Sequence, residues 1–461
     1  MRRLSLLVPV MIFLLTCGAY AHTWYVTPNG SGDPPTIQAG IDSAGVGDTV
    51  VVACGTYYEH DITVQPGICL VSETGAPDCV TIDAQALGRV FICDGVDSTT
   101  HIKGFTVTGG HGTGATHHER RGGGIRLINW ASPRLTNLAL VGNTCESWGG
   151  GLFCDDWGSP VLENVRFEGN SAPSYGGGMY AGEFTSLRLN DVVFIGNTSG
   201  GGGGMTIDFE SDLVLTNALF IENSVTGWGG GLTIYELCQA HLSHVDFRRN
   251  QAGCGGGLAT YFFGQNTLVD CSFYGNTAGD DGGAVYCRED SIRFESCTFV
   301  DNTSGSMGGA IYDERWPSPR IIGCTLVGNE GRLGGGVAAS PFGGTDLSRT
   351  IIAYSKGGRA VYSSYENRVS LSCCDLYGNV GGDWAGGVQD QYGIRGNFSA
   401  CPSFCNAAGG DFYLCDASPC LPGNHPDGYD CGLIGAWGEG CSCGPTQTKP
   451  TTWGSIKTMY R

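Results

Sequence analysis

An asparagine that recurs every 26 or 27 residues limits what this chain can fold into more than any other feature. A Phe or Leu lies three residues before each asparagine, and a glycine pair or triplet follows most of them. A unit of this size that repeats many times predicts a solenoid, because each unit buries its apolar face only against its neighbours. The repeat is marked by Asn143, Asn170, Asn197, Asn223, Asn250, Asn276, Asn302, Asn329 and Asn379, with Ser355 in the asparagine place of one further unit.

Within one repeat, apolar and polar residues alternate as they do in a β-strand. In residues 159–182, polar neighbours separate Val161, Val165 and Phe167. No stretch of residues 125–380 shows the helical period of about 3.6 residues. We therefore predict an all-β fold, a right-handed parallel β-helix of about thirteen coils that each advance about 4.8 Å. Asparagines would stack at one corner, glycines would form another, and the phenylalanines would point inward.

The composition of the chain changes at both ends of the repeat. Basic and then apolar residues lead to Ala19-Tyr20-Ala21, which predicts a bacterial-type export signal over residues 1–21. Residues 22–400 would form the β-helix, and a short helix in residues 36–44 with Thr36 as its N-cap would cover the first coil. Residues 401–443 are rich in cysteine and predict a stapled C-terminal closure, followed by a tail of residues 444–461.

Cysteines fall into two groups. Cys271, Cys297, Cys324 and Cys374 each lie five residues before the asparagine, where other coils have Val, Leu or Ala, so we expect them in the interior. Disulfides are typical of exported proteins and are expected near the two ends. The candidates are Cys54, Cys69, Cys79 and Cys93, together with the cysteines of residues 401–443.

The overall charge restricts the partners of the protein. The chain has 44 acidic and 25 basic residues and a formal net charge of −19. Nucleic acid binding needs clustered Lys and Arg, so this class of partner is excluded. No apolar run beyond the predicted signal is long enough to span a bilayer. We expect a monomer without a transmembrane segment that is secreted or associated with the outer cell surface.

Two motifs resemble those of known families. FEGN, FIGN, FIEN, FRRN, FYGN and FVDN, together with GGAI at residues 308–311, resemble the FxxN and GGAI repeats of chlamydial-type polymorphic outer-membrane proteins. The opening IQAGIDSAGVGDTVVVACGTY resembles the start of pectin-lyase-like β-helix proteins. These resemblances cover roughly residues 36–440 and imply the same right-handed parallel β-helix. They imply no single activity, because one fold hosts many functions.

The turn that follows each glycine cluster is acidic and aromatic. Stacked coils would bring these turns into one column along the solenoid. The acidic residues are Asp155, Asp156, Glu183, Asp208, Glu210, Glu236, Glu289, Asp290, Asp313 and Glu314. The aromatic residues are Trp157, Phe184, Phe209, Tyr235, Phe262 and Trp316, and a second aromatic column before the glycines contains Trp148, Tyr175 and Trp228.

Aromatic faces beside carboxylates suit a sugar chain, since sugar C–H faces stack on rings while hydroxyl groups bind the acids. The carboxylates alone would suit Ca²⁺, which prefers six to eight oxygen ligands, and an acidic turn can also serve only solubility. We favour a non-enzymatic protein that binds polysaccharides or cell-surface glycans. The candidate ligand-binding residues are Trp148, Trp157, Tyr175, Trp228, Tyr235, Glu236, Asp313 and Glu314.

The alternative is a polysaccharide lyase or glycoside hydrolase that uses acids on neighbouring coils. The candidate catalytic residues are Asp155, Asp156, Glu183 and Asp208, because paired carboxylates can act as acid and base. The NTD and RIK motifs of polygalacturonase-like enzymes are absent. The segment THHERRGGG at residues 116–124 clusters His117 and His118 and lies near His111, but a His pair alone lacks the three or four ligands of a metal site.

Overall fold

The computed structural model describes residues 21–364 and 368–443. The predicted export signal, apart from Ala21, and the predicted tail lie outside these residues. The chain winds into a solenoid of parallel strands in which Phe167 pairs with Phe194 and Phe194 with Phe220. This register confirms the predicted right-handed parallel β-helix with coils 26 or 27 residues apart.

The largest sheet, here called the long sheet, has 22 strands. Many coils contribute one long strand that is bent in the middle, where residues such as Asn164, Asp191 and Asn217 adopt positive φ. Short polar side chains tolerate this conformation better than other L-residues. The strands are Thr23–Val26, Thr49–Val52, Gly55–Tyr57, Cys69–Ser72, Val80–Asp83, His101–Lys103, Phe105–Thr108, Arg134–Val141, Val161–Glu168, Ser186–Ile195, Asp212–Ile221, Gln239–Arg248, Gln265–Val269, Ser272–Tyr274, Ser291–Glu295, Thr298–Val300, Arg320–Ile322, Thr325–Val327, Thr345–Ser348, Ile351–Ala353, Val369–Ser372 and Asp375–Tyr377.

A second sheet of 12 strands, here called the short-strand sheet, follows the glycine corner. Its strands are Ile62–Val64, Phe91–Asp94, Ile125–Ile128, Leu152–Cys154, Met179–Ala181, Met205–Ile207, Leu232–Ile234, Leu258–Tyr261, Val285–Arg288, Ile311–Arg315, Val337–Phe342 and Val361–Ser363. Two-residue strands link the asparagine corner to the glycine corner, at His111–Gly112, Thr144–Cys145, Thr198–Ser199, Ser224–Val225, Gln251–Ala252, Thr277–Ala278 and Thr303–Ser304.

The asparagines from Asn143 to Asn329 form a hydrogen-bonded ladder inside the solenoid. The side-chain amide of Asn197 donates to Oδ1 of Asn223 at 3.0 Å and to the carbonyl oxygen of Phe167 at 3.0 Å. Its backbone N–H donates to the same Oδ1 at 3.0 Å. Ser355 continues the ladder, because its backbone N–H donates to Oδ1 of Asn379 at 3.1 Å. Each asparagine thus satisfies buried backbone groups that would otherwise destabilise the interior.

The interior next to this ladder is a stack of aromatic rings. From Phe167 to Phe299, successive phenylalanine rings lie 4.6–4.9 Å apart and nearly parallel. Cys271, Cys297, Cys324 and Cys374 are buried free thiols, which confirms their predicted place inside. At the glycine corner Gly176 has a φ of 64°, and a Cβ atom there would collide with the carbonyl oxygen of Met179.

A short helix, Ile37–Ser43, covers the N-terminal coil as predicted. Thr36 is its N-cap, and the Thr36 hydroxyl accepts a hydrogen bond from the Ala39 N–H at 3.1 Å. Ile37 and Ile41 are buried against the first coils, so the open end of the apolar core is closed. One predicted N-terminal disulfide forms, between Cys54 and Cys79, whereas Cys69 and Cys93 are free thiols.

The C-terminal closure has two parts. The 3-10 helix Gly386–Gln391 places Val388 in the core at the end of the last coil. The cysteine-rich segment, with the strands Phe404–Asn406, Asp411–Cys415 and Glu439–Cys441 and the 3-10 helix Ala407–Gly409, packs along the outer side of the long sheet. There the Trp437 indole N–H donates to the Thr298 hydroxyl at 2.9 Å. The disulfides are Cys373–Cys431, Cys405–Cys441 and Cys415–Cys443.

Candidate functional site

The turn between each short strand and the following long strand forms a regular column, here called the turn column. The N–H groups of Trp157, Phe184 and Glu210 each donate to a carbonyl oxygen of the next coil, at 2.9 Å in every case. Residues in this turn adopt positive φ, among them Trp157 at 61° and Phe184 at 65°. The backbone therefore stacks the turns and directs their side chains away from the core.

Aromatic side chains of this turn form an exposed row, here called the aromatic ridge. The rings of Trp157 and Phe184 stack with centroids 4.4 Å apart, although Trp157 is 54% exposed. Exposed rings in successive coils are unusual in a soluble protein and indicate an interaction surface. The ridge consists of Trp130, Trp157, Phe184, Phe209, Phe263, Trp316 and Phe342.

Carboxylates accompany the ridge through the first part of the column. One carboxylate oxygen from each of Asp155, Asp156 and Glu183 lies within 4.8 Å of the other two. Burial and the neighbouring Asp156 raise the pKa of Glu183. Such a group of oxygens has the chemistry to hold a divalent cation such as Ca²⁺. Glu210 and Glu236 continue the acidic row in the next two coils, where both are exposed.

Asp155 is the buried member of this group and is paired with Arg121, which lies in the segment 116–124. Arg121 Nη1 lies 3.0 Å from Asp155 Oδ2, and its guanidinium lies 4.0 Å from the centre of the Trp148 ring. Burial, followed by Glu183 and Asp156, raises the pKa of Asp155 to about 7. Asp155 Oδ1 and Arg121 Nε are buried without a hydrogen-bond partner.

Asp208 lies beside Tyr180, on the coil that follows the Tyr180 coil and two coils after Asp155. Burial is the main cause that raises the pKa of Asp208 to about 7, with a smaller contribution from the nearby Glu236. Hydrogen bonds from the Phe209 N–H and from Tyr180 oppose this shift. Asp155 and Asp208 therefore both change protonation near neutral pH, which is the range in which a carboxyl group can exchange protons with a substrate.

The second part of the turn column is charge-compensated. Arg315 Nη1 lies 3.0 Å from Glu289 Oε1, and Arg288 Nε lies 3.6 Å from Glu314 Oε2. Phe263, Trp316 and Phe342 line a shallow cavity of about 410 Å³ together with Glu289 and Arg315. This part of the column thus presents apolar rings beside neutralised charges.

Asp290 and Asp313 do not face the surface. Asp313 pairs in register with Cys287 on an inward position of the short-strand sheet, and its Oδ2 accepts from the Gly344 N–H at 2.7 Å. Burial raises the pKa of Asp313 to about 8. Asp290 is buried and accepts a hydrogen bond from the Asn266 amide at 2.7 Å. A shift of one residue along a strand moves a side chain to the opposite face of the sheet. The distance of Asp290 and Asp313 from the glycine clusters in the sequence therefore did not determine which face they occupy.

The second aromatic column packs against the outer face of the short-strand sheet. Trp148 stacks on Tyr180 with centroids 4.8 Å apart, and Tyr175 meets Tyr235 edge-on at 5.6 Å. These rings pack over the side chains of Phe153 and Tyr180, which are buried on that face. Trp228 is the more exposed member of the column, at 42%.

The histidine-containing segment 116–124 folds onto the same aromatic cover. The His117 ring contacts Trp148 at 5.1 Å, and the His111 ring hydrogen-bonds the Thr144 hydroxyl at 2.9 Å. Within the described residues, no group of three possible metal ligands includes these histidines. The segment therefore delivers Arg121 to Asp155 and does not assemble a histidine metal centre.

A shallow trough on the outer face of the long sheet was missed by sequence reasoning. It has a volume of about 370 Å³ and is lined by polar side chains of four successive strands, including Ser186, Arg188, Asp212, Gln239, His241, Gln265 and Thr267. The sequence positions that could have indicated this trough are outward-facing and pair with one another in successive strands. They are Arg188, Val214, His241 and Thr267. Among the described helices, none has the length and apolarity needed to cross a bilayer.

Comparison with known proteins supports the fold. The family model described as a right handed beta helix region matches residues 217–348. No curated protein sequence matches the chain. The PL6 family alginate lyase AlyGC is similar in structure, with a TM-score of 0.50 and 14% identity, over 83% of this chain and 54% of that one.

Two further structures show weaker similarity. Pectate lyase Pel9A gives a TM-score of 0.39 and 12% identity over 92% of this chain and 98% of its own. ORF18 of Geobacillus virus E2 gives a TM-score of 0.24 and 13% identity over 71% and 52% of the two chains. The chain thus spans about half the length of AlyGC and shares the β-helix fold with it.

Proposed function

We propose that this protein is a secreted or surface-associated glycan-binding protein that uses the turn column without catalysis. The observation that carries the proposal is the aromatic ridge, in which Trp157 and Phe184 present a stacked and exposed pair of rings. The two rings form one exposed apolar surface against which sugar C–H groups can pack, and the adjacent carboxylates of Asp156, Glu183 and Glu210 can accept hydrogen bonds from hydroxyl groups. The resemblance of the FxxN and GGAI repeats to those of polymorphic outer-membrane proteins agrees with a role at the cell surface.

Affinity electrophoresis on a panel of polysaccharides tests this function. We expect at least one polysaccharide to retard the protein, and the double variant Trp157→Ala/Phe184→Ala to lose the retardation. Tyr58→Ala is the matched control, because Tyr58 is 64% exposed and lies outside the column. Equal retardation of the double variant would contradict a glycan site on the ridge.

A polysaccharide lyase or hydrolase is the second candidate. It is favoured by the two carboxyl groups beside Tyr180, since burial raises the pKa of both Asp155 and Asp208 to about 7. One of them can then accept and the other donate a proton near neutral pH. Release of unsaturated or reducing ends, lost in Asp208→Asn and kept in Glu289→Gln, would establish this activity and overturn the non-enzymatic proposal.

A further inference from the structure

We propose that the first part of the turn column recognises cationic glycans, that is, polymers of amino sugars whose ammonium groups pair with its carboxylates. This inference rests on the proposed glycan-binding function and names the ligand class. It concerns the residues from Asp155 to Glu236, here called the acidic half of the turn column.

The acidic half carries carboxylates that lack ion-pair partners. In the described part of the chain, no basic nitrogen lies within the ion-pair limit of 4.0 Å from Asp156, Glu183, Asp208, Glu210 or Glu236. Arg121 is engaged by Asp155, and the half-buried Arg126 acts on Asp156 only from beyond that distance. Within the described residues, a cationic ligand would therefore meet carboxylates that no arginine or lysine pairs with directly.

A buried atom at one end of this row also lacks a partner. Asp155 is 3% exposed, and its Oδ1 receives no hydrogen bond although the side chain belongs to the close group with Asp156 and Glu183. An ammonium group has three N–H donors and satisfies several carboxylate oxygens at once. Because Asp155 is already paired with Arg121, Asp156 and Glu183 are the members of this group whose carboxylates can pair with an ammonium group of the ligand.

The row extends too far for a single metal ion. After Glu183, carboxylates recur at Asp208, Glu210 and Glu236 on the next two coils, and each coil advances about 4.8 Å. A polymer with one charge per sugar that lies along the solenoid axis presents its charges in the same direction in which the coils repeat. The exposed rings of Trp157, Phe184 and Phe209 lie in the same turns and offer apolar surface against which its sugar rings can pack.

The remainder of the column argues for the same ligand by contrast. Glu289 and Glu314 already face Arg315 and Arg288, so an ammonium group there would have to displace an arginine. Charge complementarity thus selects the acidic half for a cationic chain and disfavours polyuronates, whose carboxylates would meet like charges.

Isothermal titration with two matched oligosaccharides tests the inference. A β-1,4-glucosamine hexamer and its fully N-acetylated counterpart share one backbone and differ in charge, because a primary amine is protonated at about pH 5.5. We expect the glucosamine hexamer to bind roughly tenfold more tightly, and the difference to shrink as salt screens the exposed pairs. In Glu210→Gln/Glu236→Gln the preference should fall about fivefold, whereas Glu163→Gln, at an exposed position of the long sheet outside the turn column, should keep it.

The outcomes separate the inference from the proposed function. Equal affinity for the two hexamers, or a preference that survives Glu210→Gln/Glu236→Gln, would overturn the inference and leave glycan binding intact. Binding of neither hexamer and of no polysaccharide in the panel would overturn the proposed function itself. Selective binding of polygalacturonate in the presence of a chelator would also overturn the inference.

Discussion

The acidic half of the turn column and the part that follows it, from Arg288 to Trp316, occupy the same corner of the solenoid but differ in charge. Asp156 and Glu183 are half-buried, Glu210 is exposed, and none of the three has a basic nitrogen of the described residues within 4.0 Å, whereas Glu289 and Glu314 each meet an arginine of a neighbouring coil. Exposed aromatic rings occur in both parts. The backbone of this corner therefore determines where side chains reach the surface. The residue types at these positions determine whether the carboxylates are paired with arginines of the protein or are open to a cationic ligand.

The two parts also differ in how deeply their arginines are placed. The side chain of Arg121, which reaches the acidic half from the segment 116–124, is 5% exposed and that of its partner Asp155 is 4% exposed, whereas the side chain of Arg315 in the other part is 46% exposed. A buried pair loses far more than an exposed one when a partner is removed, because the remaining charge has no solvent.

Arg121→Ala should have the largest effect on this comparison. Removing the guanidinium leaves Asp155 buried without its partner and removes the cation that lies over Trp148. Because burial already raises the pKa of Asp155 to about 7, the carboxyl group takes up a proton, and we expect a loss of about 1–3 kcal/mol in the free energy of unfolding. Urea denaturation followed by circular dichroism measures it. A midpoint equal to that of the parent protein would show that the pair does not stabilise the acidic half.

The pH dependence of stability should give the second-largest difference between the two parts. The folded pKa of Asp208 is raised to about 7, so between about pH 4 and 7 the folded protein holds a proton that the unfolded chain has released. The contribution of Asp208 to stability therefore falls as the pH rises through this window. We expect Asp208→Asn to gain melting temperature relative to the parent as the pH is raised through this window. A constant offset across the window would contradict the raised pKa.

Glycan affinity provides a third contrast. Trp157→Ala should weaken binding of the glucosamine hexamer about tenfold, which corresponds to about 1.4 kcal/mol, since one stacked ring is lost. Trp316→Ala removes a ring of similar exposure from the charge-compensated part and should leave the affinity within about twofold. Similar losses in titrations of the two variants would place the ligand along the whole ridge.

Arg315→Ala should have the smallest effect. Its pair with Glu289 is largely solvated, so we expect less than about 1 kcal/mol of lost stability in the same denaturation experiment. The variant also leaves Glu289 uncompensated and makes this part resemble the acidic half. A loss as large as that of Arg121→Ala would remove the difference between the two parts.

Much of the fold could be predicted because its signals are periodic. The spacing of Asn197 and Asn223 predicted the ladder, and alternation around Phe167 and Phe194 predicted the stacked interior. The prediction of the capping helix, with Thr36 as its N-cap, is also confirmed. The candidate site was harder, since the same pattern included Asp290 and Asp313, which are buried, and gave Arg121 no partner.

The sequence by itself determined the coil length, the corners and the identity of most interior positions, because these depend on local alternation repeated at a constant interval. The tertiary structure alone decided which carboxylates reach solvent and which arginine meets them. Arg121 and Asp155 are 34 residues apart, and their contact depends on how a loop folds over the neighbouring coil. Asp313 turns inward because a shift of one residue in a strand reverses the face of its side chain, an effect too small for the spacing of a 26-residue repeat to reveal.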